Sequence, residues 1–233
     1  MVEAITPTVV SGPAELAEAA AGWTAQRITA AVAARGACYI ALAGGETPRG
    51  CYERLAQPPY SGDLPWRSVF VYWSDERQVP LDDPASNYAM ARAALLDHVP
   101  IPREHVFPLV EDPVPALRRL PVDRAGMPRF DIIHLGIGED GHTASLFPGT
   151  PALADRQALV FFVHDAPKPP PARFTLTLPV INAARAVLFM VQGASKREAL
   201  GRVLQRDPAL PASLVQPLNG ELRFIVDRAA LGK

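Results

Sequence analysis

A glycine-rich stretch with one histidine holds the densest set of chemically capable residues in the sequence. It occupies residues 136–149 and reads GIGEDGHTASLFPG, with His142 two positions after Asp140. A histidine has an unperturbed pKa of about 6.5 and therefore exchanges protons near neutral pH. The glycines permit a tight loop whose N–H groups face one point and can hold a developing oxyanion. The stretch predicts a proton-transferring site, and a turn histidine without a chemical task is the alternative.

A second stretch, GGETP at residues 44–48, directly follows an apolar run and opens a predicted helix. Gly44 and Gly45 let the backbone approach a ligand, and the unpaired N–H groups of a first helical turn favour phosphate. Thr47 can cap the helix or donate its hydroxyl group. The stretch matches neither G-x-x-x-x-G-K-[ST] nor G-x-G-x-x-G, so it carries no fingerprint of a triphosphate or dinucleotide site. A phosphate site and an ordinary tight turn remain as alternatives.

Two further polar stretches also follow apolar runs. In GASK at residues 193–196, Lys196 lies at a predicted helix start, which the helix dipole disfavours unless an anion binds there. A solvated surface lysine is the alternative. In SDER at residues 74–77, acids and an arginine can bind a polyol, orient a base or form a surface salt bridge of little energetic value.

The elements that must position these stretches are four short apolar runs, predicted as buried strands at residues 37–43, 69–73, 130–135 and 186–191. Helices are predicted at residues 13–35, 87–99 and 196–204. Apolar strands that alternate with helices predict an α/β fold of the doubly wound class, a mostly parallel sheet with helices on both faces. Ligands of such folds bind outside the carboxyl ends of the strands. All four polar stretches begin there, so we expect them to converge.

The composition sets limits on the class of protein. The chain has 233 residues, 48% of them hydrophobic and 20% charged, with a net charge of -1. This predicts a single domain over residues 1–233 with no bulk basic surface for nucleic acid. No run approaches the ~20 apolar residues of a membrane span. The first residues lack the pattern of a secretory signal, so we expect a cytoplasmic protein without a membrane partner. The proline-rich stretch at 166–171 is predicted to be a structural connector, with a polyproline ligand as the alternative.

The sequence shows no pattern typical of a metal site, a reactive thiol or a serine hydrolase. Cys38 and Cys51 show no metal-ligand spacing and are predicted to be buried and inert. His134 lies inside a predicted strand and is expected to be a hydrogen-bonded core residue. The remaining histidines show no shared ligand spacing, so no metal site is expected. No serine lies in G-x-S-x-G, and a hydrolase with this sequence is therefore expected to activate water directly.

The polar stretches together resemble the 6-phosphogluconolactonase family, within the glucosamine/galactosamine-6-phosphate isomerase superfamily. The resemblance spans roughly residues 10–230 and is carried by GGETP (44–48), SDER (74–77), NY (87–88), GIGEDGHTASLFPG (136–149), RFTLTL (173–178) and GASK (193–196). It implies a Rossmann-like fold and hydrolysis of 6-phospho-D-glucono-1,5-lactone to 6-phospho-D-gluconate, the second step of the oxidative pentose phosphate pathway. It implies no cofactor and no metal. The partner is a small phosphorylated sugar lactone, and the chain is expected to be a monomer or a small homo-oligomer.

The resemblance also implies roles for individual residues. His142 is expected to be the catalytic base, with Asp75 and Asp140 as polar supports. The expected substrate- and phosphate-binding residues are Gly44, Gly45, Thr47, Arg77, Arg173 and Lys196. In two places the sequence departs from the family. Glu46 replaces a usual serine, so its side chain is expected to point away from the phosphate. Residues 111–129 are short and proline-rich where relatives have a longer helix.

Two other functions remain open from the sequence. Glucosamine-6-phosphate deaminases share the Asp-Gly-His core but usually continue Ile-Ala-Phe-Asn-Glu, and in such an enzyme Asp75 can serve as the enolisation base. A non-catalytic sugar-phosphate sensor would keep the phosphate site without the reaction. The presence of His142, Asp140 and Asp75 together argues against a sensor, because pure binding needs no general base.

Overall fold

The computed structural model describes residues 5–233, and its core is a six-stranded sheet flanked by helices. The strands are β1 (Thr8–Val10), β2 (Cys38–Leu42), β3 (Val69–Trp73), β4 (Asp75–Arg77), β5 (Ile132–Leu135), β6 (Val160–Val163), β7 (Arg173–Leu176), β8 (Ala186–Val191) and β9 (Glu221–Asp227). The α-helices are α1 (Pro13–Arg35), α2 (Glu46–Leu55), α3 (Tyr60–Asp63), α4 (Asn87–Ala91), α5 (Val114–Leu117), α6 (Leu178–Ala183), α7 (Arg197–Leu204) and α8 (Arg228–Leu231).

The main sheet has the strand order β1-β9-β8-β5-β2-β3, and every neighbouring pair in it is parallel. Alternate residues of its strands enter two separate apolar cores. Ile40 and Leu42 pack with the buried sides of α1 and α2, whereas Ala41 packs with those of α6 and α7. Helices therefore cover both faces, as the doubly wound prediction requires.

The first helix has the bounds that the sequence predicted. Pro13 begins α1, where a missing N–H costs nothing, and Arg35 ends it. Gly36 follows in the left-handed region with φ 78°, and its N–H donates to the carbonyl of Val32. This left-handed C-terminal residue explains why the helix stops at a glycine.

Two predicted helices have different bounds in the structure. The helix expected over residues 87–99 is α4, capped by Ser86, followed by a single π-helical turn over Arg92–Leu96. The N–H of Asp97 donates to the carbonyl of Arg92, five residues back, which defines this wider turn. The helix expected from residue 196 begins one residue later, because a 3-10 turn over Ala194–Lys196 precedes α7.

All four predicted strands lie in the main sheet, and the structure adds a second sheet that the sequence analysis did not predict. β4, β7 and β6 form a second sheet, antiparallel and three-stranded, in which Asp75 lies opposite Thr175 and Arg77 opposite Arg173. Residues 75–77 are therefore extended rather than part of a loop. Their pairing partner lies about a hundred residues away, and a three-residue polar segment has no apolar alternation that would indicate a strand.

The buried histidine and cysteines confirm their expected structural roles. His134 is fully buried, with its Nε2 3.0 Å from the hydroxyl of Thr24 and its Nδ1 3.4 Å from that of Tyr52. Burial lowers the pKa of His134 to about 3, so the ring is neutral. Cys38 and Cys51 are buried and free of disulfides.

The proline-rich segment over residues 111–129 contains only the single turn α5 and one isolated pairing between Val122 and Pro128. Among the helices of residues 5–233, none combines the length and the apolar character needed to cross a membrane.

Candidate active site

A cavity of about 330 Å³ lies at the carboxyl ends of β2, β3, β5 and β8, beside the second sheet. It brings together seven of the predicted site residues, namely Gly44, Gly45, Asp75, Arg77, His142, Arg173 and Lys196. Asp140 is in hydrogen-bond contact with His142. The convergence predicted from the strand ends is therefore observed.

A smaller cavity of about 240 Å³ adjoins the first at the beginning of α2. Thr47 lines this smaller cavity, whereas Gly44, Gly45 and Lys196 line both. The beginning of a ten-residue helix and a lysine thus face the same small space. Unpaired N–H groups, the helix dipole and an ammonium group together favour an anion there.

His142 is held by Asp140 through a short hydrogen bond between Nδ1 and Oδ1. The His142 side chain is 15% exposed and that of Asp140 is 38% exposed. One face of the imidazole packs against the ring of Phe147, with the ring centroids 4.6 Å apart. Since the hydrogen bond occupies Nδ1, Nε2 is the ring nitrogen left to accept a proton.

Burial and charge shift the pKa values of His142 and Asp140 in opposite directions. Burial lowers the pKa of His142, and although the hydrogen bond and charge of Asp140 raise it, the pKa stays below its usual value. The positive charge of Lys168 contributes to the decrease. For Asp140, burial alone would raise the pKa, but the interactions with His142 lower it overall. Near neutral pH the pair is a carboxylate beside a neutral imidazole, which suits a general base.

The loop around His142 uses several of its own N–H groups internally. Gly138 donates to the carbonyl of His142 at 2.8 Å, and Gly141 donates to the carbonyl of Gly138 at 3.0 Å. The N–H of His142 donates to Asp140 Oδ1 at 3.2 Å. For these three N–H groups the expectation of a free donor nest is wrong, because they stabilise the loop itself.

Asp75 connects this loop to the second sheet. The carboxylate is 6% exposed, and its Oδ2 accepts a 2.6 Å hydrogen bond from the hydroxyl of Ser145. Its Oδ1 lies 3.2 Å from the side-chain amide of Asn87, which also donates to the Asp75 main-chain carbonyl at 2.8 Å. Both carboxylate oxygens of Asp75 are therefore engaged, one by Ser145 and the other by Asn87.

Asn87 is itself positioned by two neighbours. A Cβ atom on Gly44 would lie 1.8 Å from Asn87 Oδ1, so only glycine leaves room for this amide. Glu76 is fully buried and accepts the main-chain N–H groups of Asn87 and Tyr88 at 2.8 and 2.7 Å. Burial raises the pKa of Glu76, and these N–H groups oppose the increase. Glu76 thus caps α4 and fixes Asn87 next to Asp75.

The two predicted arginines line the cavity but also hold backbone segments. Arg77 Nη1 donates to the carbonyl of Ala85 at 2.6 Å. Arg173 is buried, and its Nε donates to Pro170 O at 2.9 Å while its Nη2 donates to Lys168 O at 2.7 Å. Burial lowers the pKa of Arg173. Arg173 therefore anchors the proline-rich connector at residues 166–171 to the second sheet.

Glu46 is one of the residues that line the smaller cavity. Its side chain is 86% exposed, and its Oε2 lies 3.7 Å from Arg49 Nη1. The expectation that this side chain points away from a bound phosphate stays a prediction.

Sequence reasoning did not assign three residues that contribute to this site: Asn87, Ser145 and Lys168. Asn87 and Ser145 lie within the quoted motifs, and this was the available signal. Lys168 lies in a stretch interpreted as a connector, and its signal was a single lysine among prolines. Within residues 5–233, no group of three or more His, Cys, Asp or Glu side chains has an arrangement that could hold a metal ion.

Comparison with known proteins gives concordant results. The family model described as "Glucosamine-6-phosphate isomerases/6-phosphogluconolactonase" matches residues 11–224. A 6-phosphogluconolactonase of Synechocystis sp. is 44% identical over 218 residues, which cover 88% of this chain and 88% of that protein. The 6-phosphogluconolactonase of Homo sapiens is 39% identical over 236 residues, which cover 96% of this chain and 91% of that protein. The solved structure of 6-phosphogluconolactonase from Trypanosoma brucei is similar with a TM-score of 0.85 and 31% identity, covering 98% of each chain.

Proposed function

Because the chain belongs to the family of glucosamine-6-phosphate isomerases and 6-phosphogluconolactonases, we propose that its larger cavity binds a phosphorylated sugar lactone with the reacting carbonyl beside His142. The enzyme hydrolyses 6-phospho-D-glucono-1,5-lactone to 6-phospho-D-gluconate, the second step of the oxidative pentose phosphate pathway. It is a carboxylic ester hydrolase. The relatives named for this activity do not favour the deaminase alternative.

The observation that carries the proposed mechanism is the contact between His142 and Asp140 in a cavity that also contains Lys196. Asp140 accepts the Nδ1 proton of the neutral ring and leaves the lone pair of Nε2 available. Nε2 takes a proton from water as the water oxygen attacks C1 of the lactone. The support from Asp140 orients the ring and stabilises the imidazolium that forms.

The remaining steps need no covalent intermediate, because a lactone is already an activated ester. Attack by water at C1 breaks the carbonyl π bond and places negative charge on the carbonyl oxygen. When the tetrahedral intermediate collapses, the bond from C1 to the ring oxygen breaks. The imidazolium of His142 returns its proton to that oxygen, which becomes a hydroxyl group. Atoms and charge balance with water as the only co-reactant.

The smaller cavity is proposed to hold the phosphate. Lys196 supplies an ammonium group, and Gly45 and Thr47 present the beginning of α2. Burial lowers the pKa of Lys196, while the charge of Glu139 raises it and that of Lys168 lowers it. A phosphate bound at this end orients C1 toward His142, and such orientation supplies several kcal/mol of the rate enhancement, on the order of 7–11 in the most favourable cases.

The decisive experiment is a rapid coupled assay of the purified chain with the phosphorylated lactone and with unphosphorylated glucono-1,5-lactone. We expect hydrolysis of the phosphorylated lactone well above its spontaneous opening, and much slower hydrolysis of the other. Ammonia release from glucosamine 6-phosphate would identify a deaminase instead. Binding of the lactone without turnover would identify a sensor.

Three expectations from the sequence stay predictions: the single domain, the cytoplasmic location, and the monomeric or small homo-oligomeric state. Light scattering on the purified chain tests the last of these. A small phosphorylated lactone is the partner that the family implies.

A further inference from the structure

The proline-rich connector at residues 166–171 forms a strap over one side of the larger cavity. Its two ends are joined by a hydrogen bond from the Ala166 N–H to the Pro171 carbonyl at 3.0 Å. Arg173 holds its middle through the carbonyls of Lys168 and Pro170. The backbone of Lys168 is thus fixed by a buried arginine, while its side chain remains exposed.

Lys168 lines the same cavity as His142 and Lys196. Within residues 5–233 its ammonium group has neither a hydrogen bond nor an ion pair, and the same is true of the Lys196 ammonium group. The charge of Lys168 lowers the pKa of both His142 and Lys196, the two residues with which it shares the lining of this cavity. Two unpaired ammonium groups facing one cavity repel each other, so the arrangement is most stable with a ligand that carries negative charge at both ends.

The position of Lys168 separates it from the phosphate end. The smaller cavity at the beginning of α2 is lined by Lys196 but not by Lys168. At the His142 end, the N–H groups of Gly138 and His142 are used inside the loop. The Nη1 of Arg77 is occupied by the carbonyl of Ala85. In the described part of the chain Arg77 Nε has no hydrogen-bond partner, so the Lys168 ammonium group and this N–H are cationic donors that remain available in the part of the cavity that His142 lines.

We propose that Lys168 is a substrate-binding residue at the reacting end, where its ammonium group stabilises the oxyanion on C1 and then the carboxylate of the product. This inference rests on the proposed function and adds a second cationic contact to it. Lys196 binds one anionic end of the product, and Lys168 binds the other. The strap and Arg173 place the lysine in the lining of the cavity that His142 also lines.

The first test compares Lys168→Met with Lys168→Arg, and uses Lys233→Met as the matched control at the exposed chain end. We expect Lys168→Met to reduce kcat on the phosphorylated lactone by roughly 10²-fold, the usual scale for losing one oxyanion contact. Lys168→Arg keeps the charge and restores part of the loss. Lys233→Met is expected to behave as the wild type. Unchanged kinetics in Lys168→Met would overturn the proposal.

The second test uses two inhibitors that share a phosphate. 6-Phosphogluconate has a carboxylate at C1, and glucitol 6-phosphate has a hydroxyl group there. Lys168→Met is expected to weaken inhibition by 6-phosphogluconate and leave inhibition by glucitol 6-phosphate unchanged. Equal weakening of both would place Lys168 at the phosphate and overturn the proposal, as would no weakening of either.

The third test is the pH profile of kcat/KM, which a purely structural role of the strap would not move. Asp140 and Asp75 favour the imidazolium of His142, whereas Lys168 disfavours it. Arg77, Arg173 and Lys196 also line the cavity and are unchanged in the variant. Removing the charge of Lys168 therefore raises the pKa of His142 and moves the acidic limb to higher pH. If the acidic limb of the pH profile of kcat/KM does not move, the proposal is contradicted. Wild-type lactone hydrolysis, measured alongside, shows separately whether the proposed function holds.

Discussion

The hydroxyl group of Ser145 donates a 2.6 Å hydrogen bond to Oδ2 of Asp75, a residue 70 positions earlier in the chain. This contact joins the loop of His142 to β4 of the second sheet. Ser145 lies only three residues after His142, so the hydrogen bond fixes the backbone close to the imidazole. The second sheet thus holds the loop of His142 in place.

Ser145→Ala is expected to leave a buried carboxylate oxygen without its donor. This costs about 1–3 kcal/mol of the free energy of unfolding, and the displaced loop reduces kcat. Urea denaturation and steady-state kinetics measure the two effects. Ser61→Ala, at a half-buried position in α3, is the control. Wild-type stability and turnover in Ser145→Ala would show that the hydrogen bond positions nothing.

His142→Ala removes the proposed base. We expect kcat to fall by ~10²–10⁴, the usual contribution of general-base catalysis. Binding of 6-phosphogluconate should persist, because Lys196 and the beginning of α2 are unaffected. Stopped-flow assays and calorimetry measure the two quantities. Near wild-type turnover would remove His142 from the mechanism.

The pH dependence follows from the direction of the pKa shift of His142. Burial places that pKa below 6.5, and the base works only when neutral. Activity should therefore persist below pH 6.5 and decrease as the pH falls through the lowered pKa. Asp140→Asn removes a negative charge that raises this pKa, so the acidic limb should move to still lower pH while the plateau rate decreases. A limb that moves to higher pH would contradict the assignment.

Gly138→Ala tests how closely the loop fits around the histidine. A Cβ atom there would lie 2.0 Å from His142 Nδ1 and 2.5 Å from Asp140 Oδ1, so both side chains must move. We expect a large loss of kcat. Gly201→Ala in α7, where a Cβ atom meets nothing within 4 Å, should keep full activity and gain about 0.5–1 kcal/mol of stability. Similar activity of the two variants would show that the loop tolerates displacement.

Lys196→Met is expected to remove the ammonium group that binds phosphate. The decrease in kcat/KM should be large for the phosphorylated lactone and small for glucono-1,5-lactone, because only the first carries the charge that Lys196 binds. Competition by inorganic phosphate should weaken as well. Equal decreases on the two lactones would mean that Lys196 does not contact the phosphate.

Local pattern was sufficient for the elements that end at the active site. The apolar runs before Gly44, Ser74, Gly136 and Gly193 predicted parallel strands, and the bounds of α1 followed from Pro13 and Gly36. These helices and strands can be predicted because the burial of one face leaves a periodic pattern of apolar residues within a few positions of the sequence. The convergence of the polar stretches also followed, since parallel strands place their carboxyl ends at one edge.

Tertiary structure alone decided which groups contact each other at that edge. The sequence did not indicate the second sheet or the hydrogen bond between Ser145 and Asp75. It also did not indicate that N–H groups of the loop donate to acceptors within the loop itself. The space for Asn87 beside Gly44 was not evident from the sequence either. The same is true of the hydrogen bond by which Arg173 anchors Lys168. Each depends on side chains or strands whose hydrogen-bond geometry is set in three dimensions, and a directional contact between separate segments leaves no periodic pattern along either one.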